Sequence, residues 1–121
     1  MTKDIGLLSV AALFASTAAV APTPSIELPS DDPAHFAAEA AQGRQVYAER
    51  CAPCHGQAME GRDDAWPLAD ARFRRKWLTQ SPDRLYTKIR VTMPQDDPGA
   101  LSPAQARDVM AAILLANQSQ P

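Results

Sequence analysis

The pentapeptide Cys51-Ala52-Pro53-Cys54-His55 constrains the fold of this 121-residue chain more than any other feature. Two thiols three residues apart lie on one side of a helical turn, and the histidine that follows lies on the same side. This spacing is typical of c-type haem attachment, in which both thiols form thioethers with the porphyrin and the imidazole binds the iron. Cys51, Cys54 and His55 are therefore predicted to hold one covalently attached haem c.

Two other interpretations of the cysteine pair are a structural disulfide and a thioredoxin-like dithiol. A disulfide across two intervening residues closes a very small loop and would stabilise little. A redox dithiol needs the motif at a strand-to-helix junction, and no strand-like run flanks it. Haem attachment explains more, because a buried macrocycle would supply much of the apolar interior of so small a domain.

Residues 1–21 have the pattern of a secretory signal peptide. An apolar run over residues 5–20 leads to an Ala-Val-Ala sequence at residues 19–21, which offers a cleavage site. A cut after Ala18 or Ala19 is an alternative, and so is an uncleaved membrane anchor, which the hydroxyl side chains in the run disfavour. We expect export to the periplasm, with no insertion in the membrane after cleavage.

The rest of the chain is predicted to be one all-α domain, residues 33–121, preceded by a proline-rich linker or mobile arm, residues 22–32. Cap residues followed by proline mark three helix starts, and the third also begins a capping box that ends at Gln105. No segment has the period-two alternation of a strand. Helices are expected over about 33–52, 70–79, 82–92 and from 103 onwards, with Asp32, Ser81 and Ser102 as the caps.

Gly43 is an unusual residue within the first predicted helix. It lies on a stripe with Ala40 and Tyr47 that advances by three or four residues and leads to Cys51. A glycine inside a helix costs about 1 kcal/mol relative to alanine. A second helix crossing closely at this position would compensate for that cost.

The second axial position of the iron decides between electron transfer and chemistry on a bound small molecule. His35 begins the first helix and is expected at the surface, Met59 is too close to His55 in sequence, and Met110 lies on the apolar stripe of the last helix. Met93 lies in a loop long enough to cross the far face and offers a soft thioether. Met93 is the predicted ligand, and a core methionine is the alternative.

Closed coordination by His55 and Met93 favours an electron carrier over an enzyme, because neither ligand must leave when one electron arrives. The predicted function is a single-haem carrier between a donor dehydrogenase or redox complex and a terminal acceptor. One alternative is a haem enzyme with a labile sixth ligand, either peroxidase-like or gas-reacting. Another is a tightly bound cytochrome subunit of a periplasmic dehydrogenase.

Net charge is −2, which argues against nucleic acid or an anionic membrane as a partner. Positive charge is nevertheless concentrated in the middle third of the chain. A solvated basic face is the simpler interpretation, and a docking patch for an acidic partner is the alternative. The basic residues there are Arg62, Arg72, Arg74, Arg75, Lys76, Arg84, Lys88 and Arg90.

Further residues accompany the pentapeptide: Gly43 and Tyr47 before it, then Pro67-Leu68, Trp77, Thr92-Met93-Pro94, Asp108-Val109, Ala111 and Ile113-Leu114. Across about residues 33–117 the chain resembles class I cytochromes c of the small bacterial periplasmic kind. The resemblance implies three to five helices wrapped around one haem, with the first and last helices crossing near Gly43.

The same resemblance implies roles for residues that spacing alone does not assign. The Pro67 carbonyl would accept the second imidazole proton of His55, with a simple turn proline as the alternative. Trp77, together with Arg62 or Arg72, would bond a haem propionate, and a core aromatic is the alternative for Trp77. Partners would be a donor dehydrogenase and an acceptor oxidase or other cytochrome, met in transient complexes by a monomer.

Overall fold

A computed structural model of the protein describes residue 6, residues 11–20 and residues 25–120. The described part contains five helices and no strand: α1 (Pro33–Arg50), α2 (Ala52–His55), α3 (Ala71–Trp77), α4 (Pro82–Thr92) and α5 (Pro103–Gln118). The all-α prediction is confirmed, and the four predicted helices are present within a few residues of the expected bounds.

The first predicted helix is divided in two at Cys51. α1 ends at Arg50, the Cys51 N–H still donates to the Tyr47 carbonyl at 2.9 Å, and α2 begins at Ala52. Pro53 explains the break, because a proline inside a continuous helix would lack the N–H donor and clash with the preceding turn. The division places the haem-attachment motif in a short helix of its own.

Side-chain caps fix two of the three predicted helix starts. Asp32 Oδ1 accepts from the backbone N–H groups of Ala34 and His35 at 3.1 and 2.9 Å. Ser102 and Gln105 form the predicted capping box, with both reciprocal hydrogen bonds present. Ser81 occupies the N-cap position of α4 as predicted, but its side chain makes no capping hydrogen bond. There Pro82 at the first helical position sets the start instead.

α1 packs mainly on α5, and Gly43 lies where their backbones cross. A Cβ atom added at Gly43 would lie 1.8 Å from the Asp108 carbonyl oxygen and 2.8 Å from the Val109 nitrogen. The close crossing predicted from the helical glycine is confirmed. The core beneath it is formed by Tyr47, Phe73, Leu85, Tyr86, Ile89, Val109, Met110 and Ile113, among others.

Residues 25–32 lie against α1 and α5. The Ser30 N–H donates to Glu39 on α1 at 2.8 Å, and Arg107 on α5 lies 3.5 Å from Glu27 and 3.2 Å from Glu39. Residues 22–24 of the predicted arm are outside the described residues. This end of the arm is therefore attached to the domain by charged contacts.

The predicted signal peptide is only partly within the described residues. Residues 11–20 are exposed and without regular structure, while residues 1–5, 7–10 and 21 are outside them. No helix of the described part is long and apolar enough to cross a bilayer. The signal peptide and its cleavage site stay predictions.

Candidate haem site

Cys51 is the N-cap of α2 and Cys54 lies within it. Both are free thiols, Cys51 half-buried and Cys54 exposed. No disulfide joins them, and no strand adjoins them in residues 25–120. Burial raises the pKa of the Cys51 thiol to about 11, a shift that Arg50 opposes and Cys54 adds to. The raised pKa disfavours the Cys51 thiolate at neutral pH and with it thiolate-driven disulfide exchange.

His55 ends α2 with one ring nitrogen already engaged. Its Nδ1 lies 2.7 Å from the Trp66 carbonyl oxygen. A carbonyl only accepts, so Nδ1 carries the proton and the Nε2 lone pair remains for a metal. The imidazole is thus held in the tautomer and orientation that an axial iron ligand needs.

The acceptor for His55 is the Trp66 carbonyl and not that of Pro67, so the residue implied by the resemblance is wrong by one position. The Leu68 N–H donates to the Met59 carbonyl at 3.0 Å. Because the C=O and N–H of a trans peptide point in opposite directions, the Pro67 carbonyl points away from Met59. Pro67 packs instead on Gly61, where an added Cβ would lie 2.8 Å from the Pro67 nitrogen.

Met93 follows the last turn of α4 and is half-buried. Its backbone N–H donates to the Ile89 carbonyl at 3.3 Å, which ties the residue to the helix end. The competing methionines Met59 and Met110 are 7% and 1% exposed in the core. His35 is exposed and pairs with Asp32. These placements support the choice of Met93, whose ligand role stays a prediction.

These donors fit a c-type haem. Two free thiols and an imidazole with its Nε2 lone pair available come from a single helical turn, and their chemistry suits two thioether bonds and one bond to iron. The family model described as cytochrome c oxidase, cbb3-type, subunit III matches residues 38–111. The chain belongs to this family of c-type cytochromes. It has the class I cytochrome c fold and binds haem c covalently through Cys51 and Cys54.

A solved structure supports the fold of the cytochrome. The chain is similar to the sulfane dehydrogenase SoxCD from Paracoccus pantotrophus, with 24% sequence identity and a TM-score of 0.54. The match covers 68% of this chain and 45% of that chain. A search of curated protein sequences gave no match.

Tyr47 links α1 to the residue that follows the iron ligand. Its hydroxyl donates to the Gly56 carbonyl at 2.7 Å, and the side chain is 3% exposed. Burial, with smaller contributions from Cys51 and Glu60, raises the pKa of Tyr47 well above its usual range. The neutral phenol is therefore the form that secures the end of α2 in the cytochrome.

Asn117 on α5 is a positioning residue that sequence reasoning missed. The side chain is 5% exposed, and its Nδ2 donates to the Leu68 carbonyl at 2.8 Å and to the Ile113 carbonyl at 2.9 Å. It thereby anchors the loop whose Trp66 carbonyl orients His55. The sequence feature that could have identified it is the position of Asn117, a polar residue four residues after Ile113 on the apolar face of the last helix.

Trp66 and Trp77 meet two cations of α3. The Arg72 guanidinium lies 5.3 Å from the centroid of the Trp66 ring and the Lys76 ammonium 5.4 Å from it. Lys76 is also 5.3 Å from the centroid of the Trp77 ring. Trp77 is half-buried against the core. Its predicted contact with a haem propionate stays a prediction, and so do those of Arg62 and Arg72.

Proposed function

We propose that this cytochrome is an exported, periplasmic single-haem electron carrier that passes one electron between a donor dehydrogenase or redox complex and an acceptor oxidase or other cytochrome. The observation that carries the proposal is the hydrogen bond between His55 Nδ1 and the Trp66 carbonyl oxygen, 2.7 Å long. It fixes the imidazole before any metal binds, so the ligand need not reorient between oxidation states. Little rearrangement on electron arrival is the requirement of a carrier.

Met93 is proposed as the second axial ligand. A haem held by these residues supplies a one-electron iron couple, and ligation by histidine and methionine raises its potential. The chain contributes rigidity, because Met93 is tied to the end of α4 and is followed by the buried Pro94. A ligand on a helix end is displaced less easily than one on a free loop, which favours electron transfer over binding of a small molecule.

Replacing Met93 tests this assignment. The ferric cytochrome should show a methionine-to-iron charge-transfer band and bind cyanide slowly, whereas Met93→Ala should lose the band, bind cyanide rapidly and have a lower reduction potential. Met110→Leu is the matched control, because it changes a core methionine at nearly constant volume. Rapid cyanide binding by the unchanged protein would instead favour a haem enzyme.

The matched family model describes a subunit of a larger enzyme, which favours a second candidate function. In that case the cytochrome would be a tightly bound electron-transfer subunit and not a diffusing carrier. Gentle purification from the native cell followed by size-exclusion chromatography distinguishes the two. Elution as a single chain, no larger than about the 13.0 kDa of all 121 residues, supports the carrier, and co-elution with a redox enzyme supports the subunit.

Intact-mass spectrometry of the exported protein tests the proposed location and the leader together. Cleavage near residues 18–21 and one added haem mass are expected. A full-length mass in the membrane fraction would show that the leader is kept as an anchor.

A further inference from the structure

Two indole rings and two cations meet beside the haem-attachment motif. We name Trp66, Arg72, Lys76 and Trp77 the tryptophan–cation cluster. Arg72 and Lys76 are one turn apart on α3 and both lie over the Trp66 ring, at 5.3 and 5.4 Å from its centroid. Cation–π attraction holds their charged ends in place, so the positive charge is gathered around one exposed aromatic ring.

Trp66 has two separate roles in this arrangement. Its backbone carbonyl accepts the hydrogen bond from His55 at 2.7 Å, while its side chain is 57% exposed. Leu78 and Val91, at the ends of α3 and α4, are also exposed. Tryptophan and arginine are enriched at the energetic centres of protein interfaces. A partner in contact with the Trp66 ring would therefore be connected to the His55 imidazole through Trp66 and its hydrogen bond to Nδ1.

The charge around the cluster is strongly positive. Residues 61–92, which include Trp66, contain eight lysines and arginines and four aspartates, a local charge of +4 in a chain whose net charge is −2. Within residues 25–120, Arg72 and Lys76 make no ion pair, whereas Arg107 meets three carboxylates. Among the described residues, the charges of Arg72 and Lys76 are therefore left for a partner to pair with.

We propose that the tryptophan–cation cluster is the docking surface for an acidic face of a redox partner protein. The proposal rests on the electron-carrier function and says where on the surface the redox partner binds. A complementary acidic face would be steered to the cluster and oriented there. When the partner is the donor, it loses one electron and the ferric iron gains it, with no atom or proton transferred. The gathering of cations on an exposed indole favours docking over a merely solvated basic face.

Charge reversal on α3 and α1 tests the assignment with a small anionic oxidant. Lys76→Glu and Arg44→Glu change net charge equally, and both cations are exposed on helices; Lys76 is chosen because Arg72 is a predicted propionate contact. Ferricyanide, the anionic probe, takes one electron from the reduced cytochrome and becomes ferrocyanide. In stopped-flow experiments at low ionic strength, Lys76→Glu should slow this oxidation at least about threefold more than Arg44→Glu. The cationic oxidant tris(phenanthroline)cobalt(III) should show the opposite order.

Raising the ionic strength tests whether the difference in oxidation rate between the two variants comes from the electrostatic field of the cluster. At about 1 M salt, where the screening length is about 3 Å, the difference between the two variants should largely disappear. Equal slowing by both variants at low salt would overturn the docking surface while leaving the carrier function standing, because electrons would still be exchanged. A cytochrome that exchanges electrons with neither oxidant would overturn the carrier function itself.

Discussion

Gly43→Ala should destabilise the protein, although alanine is the better helix former. An alanine Cβ would lie 1.8 Å from the Asp108 carbonyl oxygen, whereas a carbon and a carbonyl oxygen in contact are about 3.3 Å apart. α1 and α5 would therefore have to separate by roughly 1.5 Å at the crossing. The obstructing atoms are backbone and cannot rotate away, so the whole helix pair must move.

The magnitude follows from two opposing terms. Overpacking a close contact costs about 1–3 kcal/mol and occasionally more, and a backbone obstacle places this site at the upper end. Replacing a helical glycine by alanine returns about 1 kcal/mol. The net loss in the free energy of unfolding should be about 2 kcal/mol, or a fall of roughly 10 °C in Tm for a domain of this size.

Urea unfolding of the haem-bound protein, followed by circular dichroism, measures this loss. Ala37→Gly, at an exposed position of the same helix, calibrates the intrinsic difference between the two residues and should cost about 1 kcal/mol. If Gly43→Ala were as stable as the unchanged protein or more so, the close crossing would be refuted.

Two further predictions concern the contacts that hold His55 in place. Tyr47 deprotonates near pH 10 in the unfolded state, whereas its pKa is raised in the folded state. The free energy of unfolding should therefore fall by about 1.4 kcal/mol per pH unit above pH 10. Tyr47→Phe should be about 1 kcal/mol less stable at pH 7. Only the tyrosine protein loses this stability above pH 10, so urea unfolding at pH 11 should show the difference abolished; an unchanged difference would contradict the role of the phenol. Asn117→Ala should lower Tm and shift the reduction potential, because the Trp66 loop loses an anchor. The exposed control Gln118→Ala should change neither. An unchanged potential in Asn117→Ala would show that this residue contributes to stability alone.

Features with a local signal in the sequence could be predicted, and distant contacts that leave no such signal could not. The Asp32 cap is local chemistry, and Gly43 shows the crossing because a costly residue in a helix needs a compensating contact. The acceptor for His55 was misassigned by one residue because no periodic pattern determines which carbonyl of an irregular loop faces the ring. The bond from Asn117 to the Leu68 carbonyl spans 49 residues, beyond any periodic pattern.

A chain of contacts connects the helix crossing to the iron ligand. Gly43 allows α5 to lie against α1, and α5 carries Asn117, which holds the loop at Leu68. The same loop presents the Trp66 carbonyl to His55. Stability and redox geometry therefore depend on the same packing, and separation of the two helices should disturb the imidazole even though the crossing itself makes no contact with it. In Gly43→Ala, the loss of stability should therefore be accompanied by a shift in reduction potential.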